Sequence, residues 1–511
     1  MLVASAIVAA ACALPVGYLA VVVAGEPRAA FEAVWELETL ALLARSLGLA
    51  LAVGVGATAL ATPLAWLTVR SDLPGRRAWT VLVTLPLVLP SYIAAYLLVS
   101  ALGPRGELQG LLEPLGIERL PSIYGFVGAW LVLVVVTYPL VLLPMRAALA
   151  RMDPALEDAA RGMGARRLRL ARTVIAPQLA PAAGAGALLA ALYALSDFGA
   201  VSILRFDSFT RVIYQSYRAS FDRTGAAALA ALLVLVMAAL LALEARARHR
   251  RAYFRSAPGT ARRAAIVPLG RWRWPALAFC ALVGGIAFLL PVGMLAYWTT
   301  RSVAGATDWS VTLSAARGSL LIAALAALAT TLAALPVAWL GARHPGRRTR
   351  LVEAASTSGY ALPGIVVALA LVFFGIRAAP ALYQTLAMLV LAMVVLFLPL
   401  AAGSTRTALL QVPPRLEEAA RGIGRSPLGA ALSITLPLAR GGVLAGAALV
   451  FLAAIKELPA VLLLSPIGFD TLPALIWRET TRSFFESGAA PSLVLLAVSA
   501  LPLWLLVGRA R

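Results

Sequence analysis

Two short polar segments stand out in an otherwise apolar chain, and they are nearly the same segment. Asp153-Pro154-Ala155-Leu156-Glu157-Asp158-Ala159-Ala160-Arg161-Gly162 returns as Pro413-Pro414-Arg415-Leu416-Glu417-Glu418-Ala419-Ala420-Arg421-Gly422. Proline suits a first helical turn, where its missing N–H costs nothing. Asp153 can cap that turn, and acids just beyond it are favoured by the helix dipole. Paired alanines let another surface approach closely. Gly162 and Gly164, like Gly422 and Gly424, can end the helix and turn the chain. The chemistry on offer is therefore docking. Two further carboxylates, Asp197 and Glu457, lie inside apolar runs at equivalent places. A charge there costs roughly 2.5–3.5 kcal/mol on insertion scales, so it faces a cavity or a partner. A second pair, Asp207 and Asp470, sits in polar loops.

Other chemistries find no support. A phosphate-binding loop needs Gly-x-x-x-x-Gly-Lys-Ser/Thr. The one lysine, Lys456, stands in "FLAAIKELPA", without such glycines. Cys12 and Cys280 fall in apolar runs, offering neither a disulfide framework nor a cysteine metal site. The two histidines, His249 and His344, lie in basic loops. No residues of catalytic type fall in a nucleophile–base pattern, and no His/Cys/carboxylate group has metal-ligand spacing.

The elements that position these residues are membrane spans. Of 511 residues, 61% are hydrophobic and 13% charged, against about 25% charged in a soluble domain. Mean hydropathy is +0.89. The net charge of +21 is spread between apolar runs, which disfavours a nucleic-acid-binding domain. About 20 apolar residues cross a bilayer. Twelve such stretches are expected, at 3–24, 46–69, 79–102, 123–145, 178–201, 226–245, 275–298, 318–341, 352–375, 381–403, 441–464 and 490–508. No basic segment precedes the first, so it reads as a span rather than a cleaved signal. With both termini in the cytoplasm, 30 of the 43 arginines fall on the cytoplasmic side, as the positive-inside rule requires.

The chain is also two copies of one unit. "PLAWL" at 63–67 returns as "PVAWL" at 336–340, and Leu89-Pro90 as Leu362-Pro363, both 273 residues on. The docking segments and Pro177/Pro437 are 260 apart, and "FDSF" at 206–209 returns as "FDTL" at 469–472. The expected organisation is a six-span repeat over 1–245, a basic cytoplasmic linker over 246–273 and a second six-span repeat over 274–511. An even span count turns both copies the same way, about a pseudo-twofold axis along the membrane normal. The fold class is an all-α membrane protein, with two equivalent cytoplasmic surfaces.

The repeated docking segment resembles the Glu-Ala-Ala…Gly coupling loop of permease subunits in ABC importers. The stretches "ALSDFGAVSILRFDSFTRVIYQSY" at 194–217 and "IKELPAVLLLSPIGFDTLPALIW" at 455–477 resemble those of fused, twelve-span ferric-iron permeases. Thiamine permeases are close relatives, so an importer of thiamine or another organic cation is the alternative. Ion-coupled secondary transporters can also have two parallel six-span halves, but they need no coupling loop. The resemblance implies a type I importer permease fold in the bacterial inner membrane and ATP-driven alternating access. It implies two copies of an ABC ATPase on the cytoplasmic face and a periplasmic or lipid-anchored substrate-binding protein, with membrane lipid around the spans and no nucleic acid. No cofactor belongs to this chain; ATP and Mg belong to the ATPase. Carried over, Glu157, Ala160, Gly162, Glu417, Ala420 and Gly422 are ATPase-docking residues. Asp197 and Glu457 become candidates for the translocation path, where carboxylate oxygens would suit Fe³⁺. Asp207 and Asp470 become candidates for contact with the binding protein.

Overall fold

The structure, a computed structural model, describes residues 1–103, 106–115, 121–218, 222–250, 266–302, 308–482 and 485–508. In chain order the first half contains α1 (Leu2–Gly25), α2 (Pro27–Trp35), α3 (Leu37–Arg70), α4 (Arg76–Leu82), α5 (Ser91–Leu102), α6 (Glu107–Leu112), α7 (Phe126–Ala150), α8 (Pro154–Gly162) and α9 (Arg167–Leu170). It continues with α10 (Ala176–Ser196), α11 (Gly199–Ile203), α12 (Phe209–Arg218) and α13 (Arg223–Arg250). The second half contains α14 (Arg273–Gly284), α15 (Leu290–Ser302), α16 (Trp309–Arg343), α17 (Arg347–Ser356), α18 (Gly364–Ala378), α19 (Leu386–Gln411) and α20 (Pro414–Gly422). It ends with α21 (Pro427–Ala430), α22 (Leu436–Ala454), α23 (Pro459–Leu464), α24 (Leu472–Thr481) and α25 (Ala489–Gly508). Among the described residues the only β pairing is an isolated bridge, Ser71 with Val267. The middle of the basic linker, 251–265, lies outside the described residues.

Nine described helices are long and apolar enough to cross a membrane, or ten if the bent pair Arg76–Val88 and Ser91–Gly110 forms one span. The expected spans 352–375 and 490–508 correspond to shorter apolar helices, Gly364–Ala378 and Ala489–Ala500. The reason for the first is the repeated Leu-Pro pair. A residue before proline is driven out of the helical region. Leu89 and Leu362 are extended, with ψ of 117° at both, and Pro90 and Pro363 follow at ψ of 143° and 147°. The expected continuous spans 79–102 and 352–375 are therefore broken in the same place. The spans 178–201 and 441–464 are broken too, after Ser196 and Ala454.

Two compact units result, and neither follows the order of the chain. One comprises Met1–Glu36, Ile213–Val234 and Ser302–Arg511; the other comprises Leu37–Val212 and Leu235–Arg301. In the first, α1 packs on helices of the second half. Cys12 is fully buried among Ala334, Leu398, Ala401 and Val450, and Tyr18 meets Phe374 edge-on at 5.9 Å. In the second, α14 and α15 pack on helices of the first half. Gly284 abuts Leu82, Tyr96 stacks on Trp298 at 6.4 Å, and the Trp298 indole donates to Glu107 at 3.4 Å. Glu107 belongs to α6, which occupies the longer loop that the change of repeat offset requires.

Small residues bring the spans together, as expected where lipid offers no hydrophobic driving force. Gly186 of α10 faces Val141 of α7, where a Cβ would stand 2.6 Å from the Val141 Cα. Gly446 of α22 faces Ala401 of α19 in the same way, at 3.2 Å. Both pairs are 260 residues apart. The 35-residue α16 is capped by Asp308, which accepts from the Ser310 hydroxyl at 2.6 Å and from the N–H groups of Ser310 and Val311 at 2.9 and 3.3 Å. These donors hold its carboxyl below the ordinary carboxylate range.

Gly186→Val is expected to lower the melting temperature of the detergent-purified protein, because overpacking costs about 1–3 kcal/mol. Gly184→Val, on the same helix with open space around its Cβ position, is expected to leave it within a degree or two. Equal behaviour of the two variants would refute the close helix contact.

Candidate functional site

The two short helices α8 and α20 form as their residues dictate. Asp153 accepts from the Ala155 N–H at 2.9 Å, and Pro154 and Pro414 occupy the first turn. The C-termini close identically. The Ala165 N–H donates to Ala160 O at 3.0 Å and the Gly164 N–H to Arg161 O at 2.9 Å. In the second copy Arg425 donates to Ala420 at 3.1 Å and Gly424 to Arg421 at 3.0 Å. This is a Schellman closure, which needs a left-handed residue just past the helix. Gly164 and Gly424 supply it, with φ of +80° and +86°. The obligatory turn thus lies two residues beyond Gly162 and Gly422. Those two glycines are exposed, with open space around their Cβ positions.

The remaining expected docking residues face the other way. Ala160 and Ala420 are buried, Glu157 is buried, and Glu417 is largely so. Glu157 is paired with Arg70, the last residue of α3, and more loosely with Arg161 at 3.3 Å. Glu417 is paired with Arg343, the last residue of α16, at 2.6 Å. It also accepts from the Thr435 hydroxyl at 2.9 Å. In each copy the neighbouring acid, Asp158 or Glu418, is the exposed one. Beside it stand exposed apolar residues: Leu156 and Met163 on α8, Leu416 and Ile423 on α20. Sequence reasoning passed over Arg70, Arg343, Gly164 and Gly424 as site residues. The signal was present, since Arg70 and Arg343 close the repeated stretches that begin "PLAWL" and "PVAWL".

Asp197 and Glu457 occupy the two helix breaks. Asp197 accepts from the Ser91 hydroxyl and from the N–H groups of Ala200 and Val201 at 2.9 and 3.3 Å. It thereby caps α11 and ties it to the start of α5. Glu457 accepts from the Ala460 N–H at 3.4 Å in α23 and lies directly against Gly364 at the start of α18. Ser91 and Gly364 are equivalent, 273 residues apart, as Asp197 and Glu457 are at 260. One half joins these elements with serine and aspartate. The other uses glycine and a carboxylate one methylene longer, which fills the space of the missing hydroxymethyl group.

Asp207 and Asp470 are half-exposed. Asp207 pairs with Arg211 one turn into α12, and Asp470 with Arg478 of α24 at 3.3 Å. The starts of both helices are held by serines of the long spans. Ser46 of α3 accepts from the Phe209 N–H at 3.2 Å, and Ser319 of α16 from the Leu472 N–H at 2.7 Å. These serines are again 273 apart, a repeat that the sequence carried without flagging.

A family model described as "Binding-protein-dependent transport system inner membrane component" matches this chain twice, over residues 54–252 and 330–508. The chain belongs to this family. It is a multi-pass inner membrane permease subunit of an ABC importer, with one family domain in each sequence repeat. It is 32% identical over 468 residues to the "Fe(3+)-transport system permease protein FbpB 2" of Haemophilus influenzae, covering 91% of this chain and 89% of that one. Shorter similarities extend to the "Molybdenum transport system permease protein ModB" of Escherichia coli K12, 37% identical over 27% of this chain and 58% of that one. A "Probable sulfate transport system permease protein cysT" of Chlorokybus atmophyticus is 30% identical over 35% of this chain and 63% of that one.

The matched joints make a direct test. Gly364→Ser is expected to destabilise the protein by about 1–3 kcal/mol, the usual cost of overpacking, because its Cβ meets Glu457. Adding Glu457→Asp rebuilds the Ser91–Asp197 arrangement and should restore the melting temperature. A double variant no more stable than Gly364→Ser would contradict the equivalence.

Proposed function

We propose that this permease imports ferric iron, and that two ATPase subunits drive it through α8 and α20. The observation that carries the ATPase reading is the pair of matching short helices, each held from behind by a buried arginine–glutamate pair and each closed by the same glycine turn. They present two like surfaces, which suits a partner that binds twice. Ferric iron is supported by similarity along nearly the whole chain to a permease named for Fe(3+) transport. The molybdenum and sulfate permeases match only about a third of the chain or less.

In this reading the arginine-rich ends of the spans, with α8, α20 and both termini, face the cytoplasm. A periplasmic or lipid-anchored binding protein delivers the ion from the other side, touching the loops that carry Asp207 and Asp470. ATP and Mg are bound by the ATPase, and none by this chain. ATP closes the ATPase pair, the coupling helices move, and the permease passes from inward-open to outward-open. A ligand shifts such an equilibrium only through its different affinities for the two states, so ATP favours the outward form. The docking surface comprises Gly162 and Gly422 with the exposed residues around them. Glu157, Ala160, Glu417 and Ala420 support it from the inner side.

Two outcomes follow. Uptake of labelled ferric iron by a deletion strain carrying this permease, its ATPase and its binding protein should vanish with a hydrolysis-dead ATPase. Thiamine and molybdate offered in parallel should not accumulate; thiamine uptake without iron would transfer the substrate to the related permeases. Gly162→Leu with Gly422→Leu has room for its side chains inside the protein, so it should fold normally yet retain less than a tenth of the ATPase on purification. Full retention would remove these glycines from the docking surface. A place for Asp197 and Glu457 on the iron path is tested by Asp197→Asn and Glu457→Gln: unchanged uptake would leave them their capping role alone.

A further inference from the structure

Each long span that ends beside a coupling helix ends in the same way. Arg70 follows Trp66 by one turn, and its guanidinium lies 5.6 Å from the ring centroid. Arg343 follows Trp339 by one turn at 5.9 Å. The planar, permanently charged guanidinium is stacked on one face and reaches outward with its nitrogens, a geometry lysine cannot reproduce. What it reaches is the glutamate at the centre of the short helix. Arg343 donates to Glu417 from both Nε, at 2.9 Å, and Nη2, at 2.6 Å, and Nη2 also reaches Val412 O at 3.0 Å. Val412 is the residue through which the chain enters α20. Thr435 donates to the same Glu417 oxygen from a π-helical turn, Ala431–Thr435, that leads into α22. One carboxylate therefore gathers the ends of α16, α20 and α22.

A nine-residue helix is marginal on its own. These two bury little apolar surface: Glu157 and Ala160 are the buried residues of α8, and Ala420 that of α20. Their attachment to the spans is consequently ionic and directional. The spans so attached are α3 and α16, 34 and 35 residues long, each a rod of about 50 Å at 1.5 Å per residue. At their far ends the same rods carry Ser46 and Ser319, which hold α12 and α24. A displacement of the short helix is delivered through the glutamate to the near end of a rod whose far end anchors the opposite loops.

We propose that Arg70–Glu157 and Arg343–Glu417 are positioning joints, which convert movement of the coupling helices into movement of α3 and α16. This rests on the reading of α8 and α20 as ATPase docks. It assigns the glutamates a role inside the permease rather than at the ATPase surface. The two joints differ in access. Residues that return from the linker cover the first: the Val267 N–H donates to Arg70 O at 2.8 Å, and the Leu269 N–H to Asp72 at 2.8 Å. Arg70 and Glu157 are 1% and 2% exposed, against 9% and 16% for Arg343 and Glu417. Removing one partner of a fully buried pair strands a charge, whereas the second joint is open enough for water to replace the partner. The test accordingly belongs to the second half.

Glu417→Gln, Arg343→Met and the double variant would be purified with the ATPase, reconstituted in liposomes, and supplied with binding protein and ferric iron. The reading is iron taken up per ATP hydrolysed. Each single variant should co-purify with a full complement of ATPase and show at least a tenfold fall in that ratio. The double variant should be no worse than the poorer single one, since groups of one joint are not additive. Arg343→Lys, which keeps the charge and loses the fork, should fall between wild type and Arg343→Met, and it reads the joint without removing the charge. Ratios within twofold of wild type for every variant would overturn the joint. So would loss of the ATPase from Glu417→Gln, which would return Glu417 to the docking surface, or a double variant whose defect is the product of the two singles. Wild-type uptake indifferent to a hydrolysis-dead ATPase would overturn the transporter reading itself, an outcome distinct from all of these.

Discussion

Backbone polar groups that lose their helical partners in hydrocarbon must find others within the protein. This permease interrupts its spans repeatedly, at Leu89-Pro90 and Leu362-Pro363 and again at Asp197 and Glu457, so much of its architecture serves that requirement. Asp197 satisfies two freed N–H groups of α11 and accepts a hydroxyl from the start of α5. Glu457 satisfies one in α23. Ser46 and Ser319 take up the first N–H groups of α12 and α24. Each break is stitched to a neighbouring element by the group that caps it. The interruptions thus become joints between helices, and joints are what a protein that must change shape requires.

The same economy appears at the polar ends of the spans. The acids of the repeated Glu-Ala-Ala segments divide their work. One in each copy, Glu157 or Glu417, is turned inward to an arginine, while Asp158 or Glu418 remains exposed. Glycine divides its work in the same way, Gly164 and Gly424 taking the left-handed turn and leaving Gly162 and Gly422 open to a partner.

Much of this was legible in the sequence. The membrane class followed from composition, and the family followed from the repeated coupling segment; both stand. What the sequence did not disclose was direction. A helical segment with two adjacent acids, Glu157-Asp158, does not reveal which one faces inward until the end of α3 is seen to bring Arg70 beside it. Nor did hydropathy separate a continuous span from a broken one: 352–375 reads as apolar throughout, yet Leu362-Pro363 divides it, because the backbone constraint of proline acts where the apolar count is blind. The capping serines were silent for a different reason. An isolated serine in a span is common, and only agreement between Ser46 and Ser319 across the repeat, with their distant N–H donors, sets them apart.

Packing exchanges the leading helices: α1 is buried among helices of the second half, and α14 and α15 against helices of the first. A chain cut at the linker would yield two fragments, each lacking the helix that completes its own unit and each exposing the site where the other's helix belongs. Fusion removes the problem of finding that counterpart, and it fixes the ratio of the two halves at one to one. It also frees them from resemblance. Two identical subunits must carry any substitution twice, whereas here Ser91–Asp197 and Gly364–Glu457 have drifted apart as compensated pairs. A single gene thereby gains what two identical subunits do not have, a transporter whose sides can specialise separately.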